Sequence, residues 1–226
     1  MFLKDYYLRL NKKFNKVKFN GIAFDSNQVK KDYIFFAIKG NKFDGNKFVK
    51  EVIKKGSKII VSEKIKERFE NNILYLKNKN PRKLLAEFAA KINHKRPNNL
   101  IAVTGTNGKS SIANFYYQIL KLNKIKVSSI GTLGVSGINY KKKISNTTYD
   151  PIELNKILKI LKKNKINNVI LEASSHGLKQ HRLDGLKFNL GIFTNLSRDH
   201  LDYHKTLKDY FNSKLILFRK LMKKKS

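Results

Sequence analysis

Apolar residues in the first hundred positions come in two patterns. Short continuous runs bounded by glycine or polar residues predict buried strands, and apolar residues three or four positions apart predict amphipathic helices. The predicted strands cover residues 19–25, 32–38, 58–62 and 73–76, and the predicted helices cover 48–55 and 81–91. This order predicts a small α/β unit of about ninety residues, within the usual size range of a domain.

A polar segment with a proline, residues 94–99, precedes a second series of strands and helices. We therefore predict two domains, 1–97 and 98–226. The predicted strands of the second domain are residues 101–104, 126–130, 168–171 and 190–195. Helices are predicted directly after residues 105–111 and from Pro151 onward, where Ile152, Leu154, Ile157, Leu158 and Leu161 should face inward. Such alternation predicts a mostly parallel sheet with helices on both faces, and ligands beyond the carboxyl ends of its strands.

The turn between the strand at 101–104 and the following helix has the composition of a phosphate-binding loop. It reads Gly105, Thr106, Asn107, Gly108, Lys109, Ser110, Ser111. Glycines let backbone N–H groups approach phosphate oxygens, Lys109 can reach the outer phosphates, and the Ser110 hydroxyl suits Mg²⁺. The usual eight-residue pattern requires glycine at position 103, where Val103 stands. An ordinary strand-to-helix turn is the alternative, but the flanking strand and helix favour an ATP site.

Polar residues follow two other predicted strands of this domain. Glu172 comes directly after residues 168–171, and His200 lies a few residues after 190–195. Because Mg²⁺ prefers oxygen ligands, Glu172 beside Ser110 is chemically sensible, whereas an imidazole ligand is less usual. From the residues alone, His200 is equally well explained as a hydrogen-bonded loop histidine.

Four further residues carry side chains that could hold a substrate. Arg182 and Gln180 could hold a carboxylate or phosphate, which arginine binds through two hydrogen bonds, or Arg182 can be a surface arginine. Thr147 and Thr148 can donate hydroxyls to a ligand or cap the next helix. Each of these signals is weak when taken alone.

The composition narrows the cellular context and the metal chemistry. The 226 residues are 41% hydrophobic, with no apolar run near the length of a membrane-spanning helix and no apolar core of a signal peptide at the start. These features predict a cytoplasmic protein with no membrane partner. Cysteine is absent, so any metal must be held by oxygen or imidazole ligands.

The formal net charge of +33 raises the question of nucleic-acid binding. The lysines are spread over nearly every segment, and aromatic residues are not interleaved with arginine as a base-stacking surface requires. We therefore expect a solvated lysine surface and no specific nucleic-acid partner. A basic nucleic-acid-binding P-loop protein remains an alternative that strong salt dependence of binding would reveal.

Taken together, the motifs resemble the Mur ligase family, over most of residues 20–220. The resemblance lies in TGTNGKSS, NTTYDP, LEASSHGLKQHRLDGLKFNLGIFTNLSRDHLDYH and YFNSK, and in FDSNQVKKDYIFFAIKGNKFDGNKF of the first domain. The similarity is greatest to the type that adds the third residue to the peptide of peptidoglycan precursors.

The resemblance implies a role for each matching position. ATP would be bound by Gly105, Thr106, Asn107, Gly108, Lys109, Ser110 and Ser111. The muramoyl-peptide substrate would contact Asn146, Thr147, Thr148, Ser174, Gln180 and Arg182, and its nucleotide end would contact Phe24, Ser26, Asn41, Lys42 and Phe43. Two Mg²⁺ ions would be held by Ser110, Glu172, His200 and Lys214, the last as a carbamate formed with CO₂. The implied catalytic residues are Lys109, Glu172, His200 and Lys214.

The sequence departs from the family pattern in the first domain. Asn27 stands where the family commonly has arginine, and residues 41–43 differ from the family's usual residues at that turn. The nucleotide-end contacts are therefore the least firm of the implied roles.

The implied reaction joins L-lysine or meso-diaminopimelate to UDP-N-acetylmuramoyl-L-alanyl-D-glutamate through an acyl phosphate, at the expense of ATP. Family members continue well beyond the length of this chain, so we expect the N-terminal half of a monomeric enzyme, inactive without a C-terminal half that could be encoded separately. Two alternatives stay open. One is a folylpolyglutamate synthase-like ligase, which shares the G-T-N-G-K-S loop, and the other is a noncatalytic binder of UDP-muramoyl peptide or nucleotide.

Overall fold

A computed structural model describes residues 1–7, 10–40, 43–140 and 146–223. The chain divides into two compact units, Met1–Lys91 and a second unit that begins at Ile92. The boundary predicted from the sequence lay after Pro97, a few residues further on. Among the described residues, no helix is long and apolar enough to cross a lipid bilayer.

The first unit is built on a five-stranded sheet. Its strands are β1 (Gly21–Ala23), β2 (Tyr33–Phe36), β3 (Ile59–Ser62), β4 (Arg68–Glu70) and β5 (Ile73–Lys77). Their order is β1-β2-β3-β5-β4, and all neighbours are parallel except β4 and β5. The central strands β2 and β3 are rich in β-branched and aromatic residues, and all of their residues except Tyr33 are buried, as expected for a parallel sheet covered on both faces.

Two helices accompany this sheet, α1 (Val49–Lys54) and α2 (Pro81–Ile92). Helix α2 begins at a proline, which suits the first helical position, and the Asn80 side chain accepts a hydrogen bond from Lys83 N at 3.0 Å. Phe88 on its buried face meets the ring of Phe36 on β2 edge to face, with centroids 5.6 Å apart. The helix therefore covers the sheet through its apolar side.

The second unit contains another five-stranded sheet. Its strands are β6 (Asn99–Thr104), β7 (Val127–Gly131), β8 (Gly134–Val135), β9 (Asn168–Glu172) and β10 (Leu190–Phe193). Their order is β10-β6-β9-β7-β8, with only the β7–β8 pair antiparallel. The helices are α3 (Lys109–Leu122), α4 (Pro151–Lys163), α5 (Ser175–Lys179), α6 (Leu201–His204) and α7 (Leu207–Ile216), and a π-helical turn follows at Leu217–Leu221.

Helix α4 shows how the sequence dictates this packing. The Asp150 carboxylate caps its first turn by accepting hydrogen bonds from Ile152 N and Glu153 N, both at 3.0 Å. The residues predicted to face inward are all buried in the main core of the unit, namely Ile152, Leu154, Ile157, Leu158 and Leu161. The helix thus packs one apolar stripe against the sheet.

The predicted fold class is confirmed: the structure is α/β, with mostly parallel sheets and flanking helices. Each predicted strand overlaps an observed one. The sequence reasoning missed β4, the two-residue β8 and the short helices α5 to α7. β8, α5 and α6 are too short to show a period, and α7 buries the polar residues Ser213 and Lys214 together with Tyr210, so its inner side is not an apolar stripe. β4 is exposed on all three residues and therefore carries no apolar signal.

Candidate nucleotide-binding site

The predicted phosphate loop connects β6 to α3 at the carboxyl edge of the second sheet. β6 lies between β10 and β9, so the loop emerges where the carboxyl ends of three parallel strands meet. Thr104 ends β6, and α3 begins at Lys109. This is the edge at which open parallel sheets bind their ligands.

Gly105 has a backbone that other residues cannot readily adopt. Its φ is +147°, and a Cβ at this position would lie 1.8 Å from Thr194 Oγ1. A side chain here would therefore displace the segment that follows β10. The glycine is required by both its conformation and its surroundings.

The segment after β10 holds the loop in shape. Thr106 N donates to Asn195 O at 3.0 Å, Asn107 N donates to the Asn195 side-chain oxygen at 3.0 Å, and Thr194 Oγ1 donates to Asn107 O at 2.6 Å. Sequence reasoning treated Thr194 and Asn195 only as the end of a strand. Their role became visible only when the β10–β6 pairing placed them beside the loop.

Two lysine ammonium groups converge on the loop carbonyls. Lys109 Nζ donates to Gly105 O at 2.9 Å and to Thr106 O at 2.7 Å, and Lys214 Nζ donates to Gly105 O at 2.7 Å. Burial lowers the pKa of Lys109, while Glu172 and Asp199 oppose that shift. Lys214 is only 1% exposed; burial and then the charge of Lys109 lower its pKa to about 7.

Glu172 is the buried carboxylate of the site, with 4% of its surface exposed. One of its oxygens, Oε2, accepts from Ser110 Oγ at 2.9 Å and from Thr132 Oγ1 at 3.1 Å, while Oε1 accepts from Thr132 N at 3.1 Å. A hydroxyl and a carboxylate in direct contact at a phosphate loop are the hard oxygen donors that Mg²⁺ prefers. The residues present therefore fit a magnesium ion.

His200 lies in a neighbouring aromatic cluster. Its ring meets the ring of His176 edge to face at 4.8 Å and the ring of Tyr210 at 6.2 Å, and its Nε2 lies 3.5 Å from Asp199 Oδ2. Tyr210 in turn donates to Thr106 Oγ1 of the loop at 3.2 Å. Within the part of the chain that the structure describes, no group of three or more His, Cys, Asp or Glu residues is arranged to hold a metal ion. The role of His200 as a ligand stays a prediction.

Four of the predicted substrate residues form one hydrogen-bonded cluster. Thr148 Oγ1 accepts from Ser174 N at 3.0 Å and lies 2.9 Å from Ser174 Oγ. Arg182 donates through Nη1 to Thr148 O at 2.6 Å and through Nη2 to Gln180 Oε1 at 2.8 Å. The cluster is connected to the phosphate loop through Glu172, because Thr148 Oγ1 also donates to the Glu172 carbonyl at 3.0 Å.

The other predicted substrate residues are placed as follows. Thr147 Oγ1 accepts from Thr132 Oγ1 at 3.2 Å, and Asn146 is exposed at the start of the same turn. In the first unit, Ser26 is buried and its carbonyl accepts from Lys55 Nζ at 3.0 Å, Phe24 is half-buried, and Phe43 is 72% exposed. Asn41 and Lys42 lie outside the described residues.

Besides Thr194 and Asn195, sequence reasoning missed two further residues that interact with the predicted ones. Thr132 holds both oxygens of Glu172, and the charge of Asp199 acts on Lys109 and Lys214 alike. Asp199 could have been singled out, since it is an acid in a loop that follows a core strand. Thr132 carried no signal, because a single threonine after a glycine is common.

Two lysines at the loop, one of them buried, a glycine loop before a helix and a buried carboxylate against a loop hydroxyl are together typical of P-loop α/β domains. The pattern of the Mur ligase middle domain matches residues 103–226, and that of the Mur ligase family catalytic domain matches residues 18–93. The chain belongs to the Mur ligase family.

Its relatives include two UDP-N-acetylmuramoyl-L-alanyl-D-glutamate–2,6-diaminopimelate ligases. The ligase of Clostridium tetani is 41% identical over 208 residues, and that of Brucella melitensis is 40% identical over 209 residues. These alignments cover 90% and 92% of this chain, but only 43% of each relative. The chain thus spans less than half the length of the relatives it matches.

Solved structures show the same relationship. A UDP-N-acetylmuramoyl-L-alanyl-D-glutamate–2,6-diaminopimelate ligase superposes with a TM-score of 0.80 at 28% identity, covering 99% of this chain and 46% of that protein. MurF ligase from Thermotoga maritima in complex with ADP superposes with a TM-score of 0.54 at 19% identity, over 87% of this chain and 42% of that protein. The second comparison supports the fold alone.

Proposed function

We propose that this chain supplies the ATP-binding and muramoyl-peptide-binding part of a ligase that extends the peptide of UDP-N-acetylmuramoyl-L-alanyl-D-glutamate. One observation carries the proposal: Glu172 belongs to both halves of the site. Its carboxylate accepts from Ser110 of the phosphate loop, and its carbonyl accepts from Thr148 of the substrate cluster. The nucleotide and the peptide carboxylate would therefore meet at one residue.

The chemistry would proceed in two steps. An oxygen of the substrate carboxylate attacks the γ-phosphorus of ATP, and ADP leaves to give an acyl phosphate. The amine of the incoming amino acid then attacks the acyl carbon and inorganic phosphate leaves. Lys109 would offset charge on the phosphates, and Arg182 would orient the carboxylate by a charged pair of hydrogen bonds.

Members of the Mur ligase family use ATP and Mg²⁺. Ser110 and Glu172 would hold one ion, and His200 and a carbamate on Lys214 would hold a second. Bound Mg²⁺ supplies charge neutralisation at the transferring phosphoryl group. Lys214 suits carbamate formation because only an uncharged amine adds to CO₂, and this amine is buried beside the positive charge of Lys109.

The amino acid that is added is assigned from the relatives. The sequence left L-lysine and meso-diaminopimelate open, and the names of the relatives favour diaminopimelate. A ligase assay of this chain joined to the unmatched part of the C. tetani enzyme, with each amino acid in turn, decides between them. Equal or faster incorporation of L-lysine would contradict the assignment.

The nucleotide site is tested by ATP binding to the chain itself, measured by calorimetry with Mg²⁺ present. Lys109→Met should weaken binding roughly ten- to a hundredfold, because a hydrogen bond between an ammonium and a phosphate contributes about 1.5–3 kcal/mol. Lys121→Met removes the same charge from an exposed position of the same helix and should leave the affinity unchanged. Equal affinities of both variants, or no ATP binding by the unmodified chain, would refute the site.

A further inference from the structure

In the part of the chain that the structure describes, helices α3, α4 and α5 end in the same left-handed turn. The second residue after each helix has a φ of about +59°, and it is Lys124 after α3, Lys165 after α4 and His181 after α5. After α5, His181 N donates to Leu178 O at 3.1 Å and Arg182 N donates to Gly177 O at 2.9 Å. Glycine is the usual residue at the left-handed position, because it has no Cβ to clash with the backbone. A histidine there therefore needs a compensating interaction.

The residue that follows the left-handed position distinguishes α5 from the other two helices. After α3 and α4 it is Ile125 and Ile166, and Ile166 is buried in the main core. An apolar contact from this position frequently accompanies such a turn. After α5 the position holds Arg182, whose guanidinium donates to Thr148 O and Gln180 Oε1 of the substrate cluster. The turn after α5 thus presents a charged side chain where the other two present an apolar one.

The turn after α5 carries a side-chain contact of its own. His181 Nδ1 lies 3.2 Å from Asp184 Oδ2, and His181 O accepts from Asp184 N at 3.3 Å. Asp184 is only 9% exposed, so its carboxylate is largely shielded from water. Because an ionised carboxylate can only accept hydrogen bonds, Nδ1 of His181 carries the proton of this contact. The contact ties the imidazole to the chain three residues further on and so favours the left-handed backbone.

The backbone at His181 fixes the base of the Arg182 side chain relative to α5. Its left-handed conformation allows Arg182 N to reach Gly177 O, and from there the guanidinium reaches Gln180 Oε1, through Nε at 3.2 Å and through Nη2 at 2.8 Å. Gln180 Nε2 in turn donates to Tyr203 OH at 3.2 Å. In any other conformation of His181, Arg182 would lose the bond to Gly177 and its guanidinium would shift.

We propose that His181 and Asp184 form a positioning pair for the substrate carboxylate. Their contact holds the left-handed backbone at His181, and this backbone aims Gln180 and Arg182. Both residues act through Arg182. The inference rests on the proposed function for the identity of the substrate, whereas the positioning of Arg182 can be measured without any ligand.

The Nε–H group of Arg182 reports its position directly. Its cross-peak in ¹H–¹⁵N NMR spectra is assigned by its loss in Arg182→Lys. In Asp184→Ala, exchange of this proton with water should be at least about fivefold faster than in the unmodified chain, because the hydrogen bond to Gln180 opens more often. Asp184→Asn keeps an oxygen that accepts from His181 Nδ1, so its exchange rate should stay within about twofold of the unmodified chain.

The turn after α4 offers a matched control. His181→Ala and Lys165→Ala each place alanine at a left-handed position with the same φ, so the backbone cost is the same. Only His181→Ala also removes the contact with Asp184, so it should accelerate exchange of the Arg182 proton, and Lys165→Ala should not. In the double variant His181→Ala/Asp184→Ala, the second substitution should add little, because both remove one contact.

Two binding measurements separate positioning from a general loss of structure. Affinity for UDP-N-acetylmuramoyl-L-alanyl-D-glutamate, measured by calorimetry, should fall about three- to tenfold in Asp184→Ala and in His181→Ala, as expected for a weakened hydrogen bond to the substrate. Affinity for ATP with Mg²⁺ should change less than about twofold in the same variants, because the phosphate loop does not depend on this turn. Asp184→Asn should keep both affinities.

Two results would overturn the proposal. Unchanged exchange of the Arg182 proton in both alanine variants would show that the turn holds Arg182 without the contact. Equal losses of ATP and substrate affinity, reproduced by Lys165→Ala, would show destabilisation of the whole unit. If the unmodified chain binds ATP but not the UDP-muramoyl dipeptide, the proposed substrate is wrong, and exchange of the Arg182 proton still decides whether the pair positions this residue. Should one alanine variant not fold, the other carries the same test.

Discussion

The two sheets have the same numbers of parallel and antiparallel strands but differ in the side chains near their carboxyl ends. Each has four parallel strands and one antiparallel edge strand. In the first unit the Ser57 hydroxyl donates to the backbone of β2, to Tyr33 O at 2.8 Å, and the Ser62 hydroxyl at the end of β3 donates to the Asn46 side chain at 2.6 Å. In the second unit the carboxyl edge carries two lysines, a buried carboxylate and a glycine loop held by its neighbours. The second sheet therefore carries the features of a phosphate-binding site on a topology that it shares with the first sheet.

Replacing one glycine in each unit should give the largest difference in effect between the two units. Gly105 and Gly56 both have positive φ, +147° and +91°, so alanine is strained at either. A Cβ at position 105 would overlap Thr194 Oγ1, whereas at position 56 the nearest atom, Lys31 Cα, is 3.2 Å away. We expect Gly105→Ala to lower the free energy of unfolding of the second unit by at least about 3 kcal/mol, and Gly56→Ala to lower that of the first unit by about 1–2 kcal/mol.

Amide hydrogen exchange in β6 and in β3 measures the two losses separately, since each strand reports its own unit. Gly105→Ala should also abolish ATP binding, while Gly56→Ala should leave it intact. Equal losses in the two units would mean that backbone conformation alone, and not the approach of Thr194, makes Gly105 necessary.

The second unit also differs from the first in holding a buried lysine, Lys214. Lys214 is the one lysine among the buried charged residues of the described chain. With a pKa of about 7, about three quarters of this amine is uncharged at pH 7.5, compared with about one in a thousand for an ordinary lysine. At a fixed CO₂ pressure with ¹³C label, we expect a carbamate resonance of Lys214 near pH 7.5, beside the resonance of the N-terminal amine, and it should fade below about pH 6 as the Lys214 amine becomes protonated.

Lys214→Met should remove this resonance, and Lys121→Met should keep it. If the resonance assigned to Lys214 survives in Lys214→Met, the reactive amine lies elsewhere. If the unmodified chain shows no resonance at pH 7.5 other than that of the N-terminal amine, the burial of Lys214 does not suffice for carbamate formation.

Features that depend on neighbouring residues could be predicted from the sequence, whereas features that depend on residues distant in the chain could not. The loop from Gly105 to Ser111 and the helix from Pro151 could be predicted because their patterns are local. The roles of Thr132, Thr194 and Asn195 could not, because each acts across a strand pairing with residues 40 or more positions away. Only the sheet order brings such residues together.

The substrate cluster shows the same limit. Arg182, Gln180 and Thr148 were weak signals one by one and gained meaning from the family resemblance. The structure adds the contact that no motif contains, the hydrogen bond from Thr148 Oγ1 to the Glu172 carbonyl. For the nucleotide end the sequence led less far, because the turn at residues 41–43 departs from the family pattern.

The smallest expected difference between the two units concerns one buried hydroxyl in each. Thr148 is 3% exposed, and its Oγ1 accepts from Ser174 N while donating to Glu172 O. Thr148→Val would leave the Ser174 N–H without its acceptor. We therefore expect the free energy of opening of β9, measured by amide hydrogen exchange, to fall by about 2 kcal/mol. Ser57 is fully buried but only donates, to carbonyl groups that retain a second lone pair, so Ser57→Ala should cost about 1 kcal/mol in β3. Thr148→Ser, which keeps the hydroxyl, should recover most of the first loss; if it does not, the threonine methyl group rather than the hydrogen bond stabilises the substrate cluster.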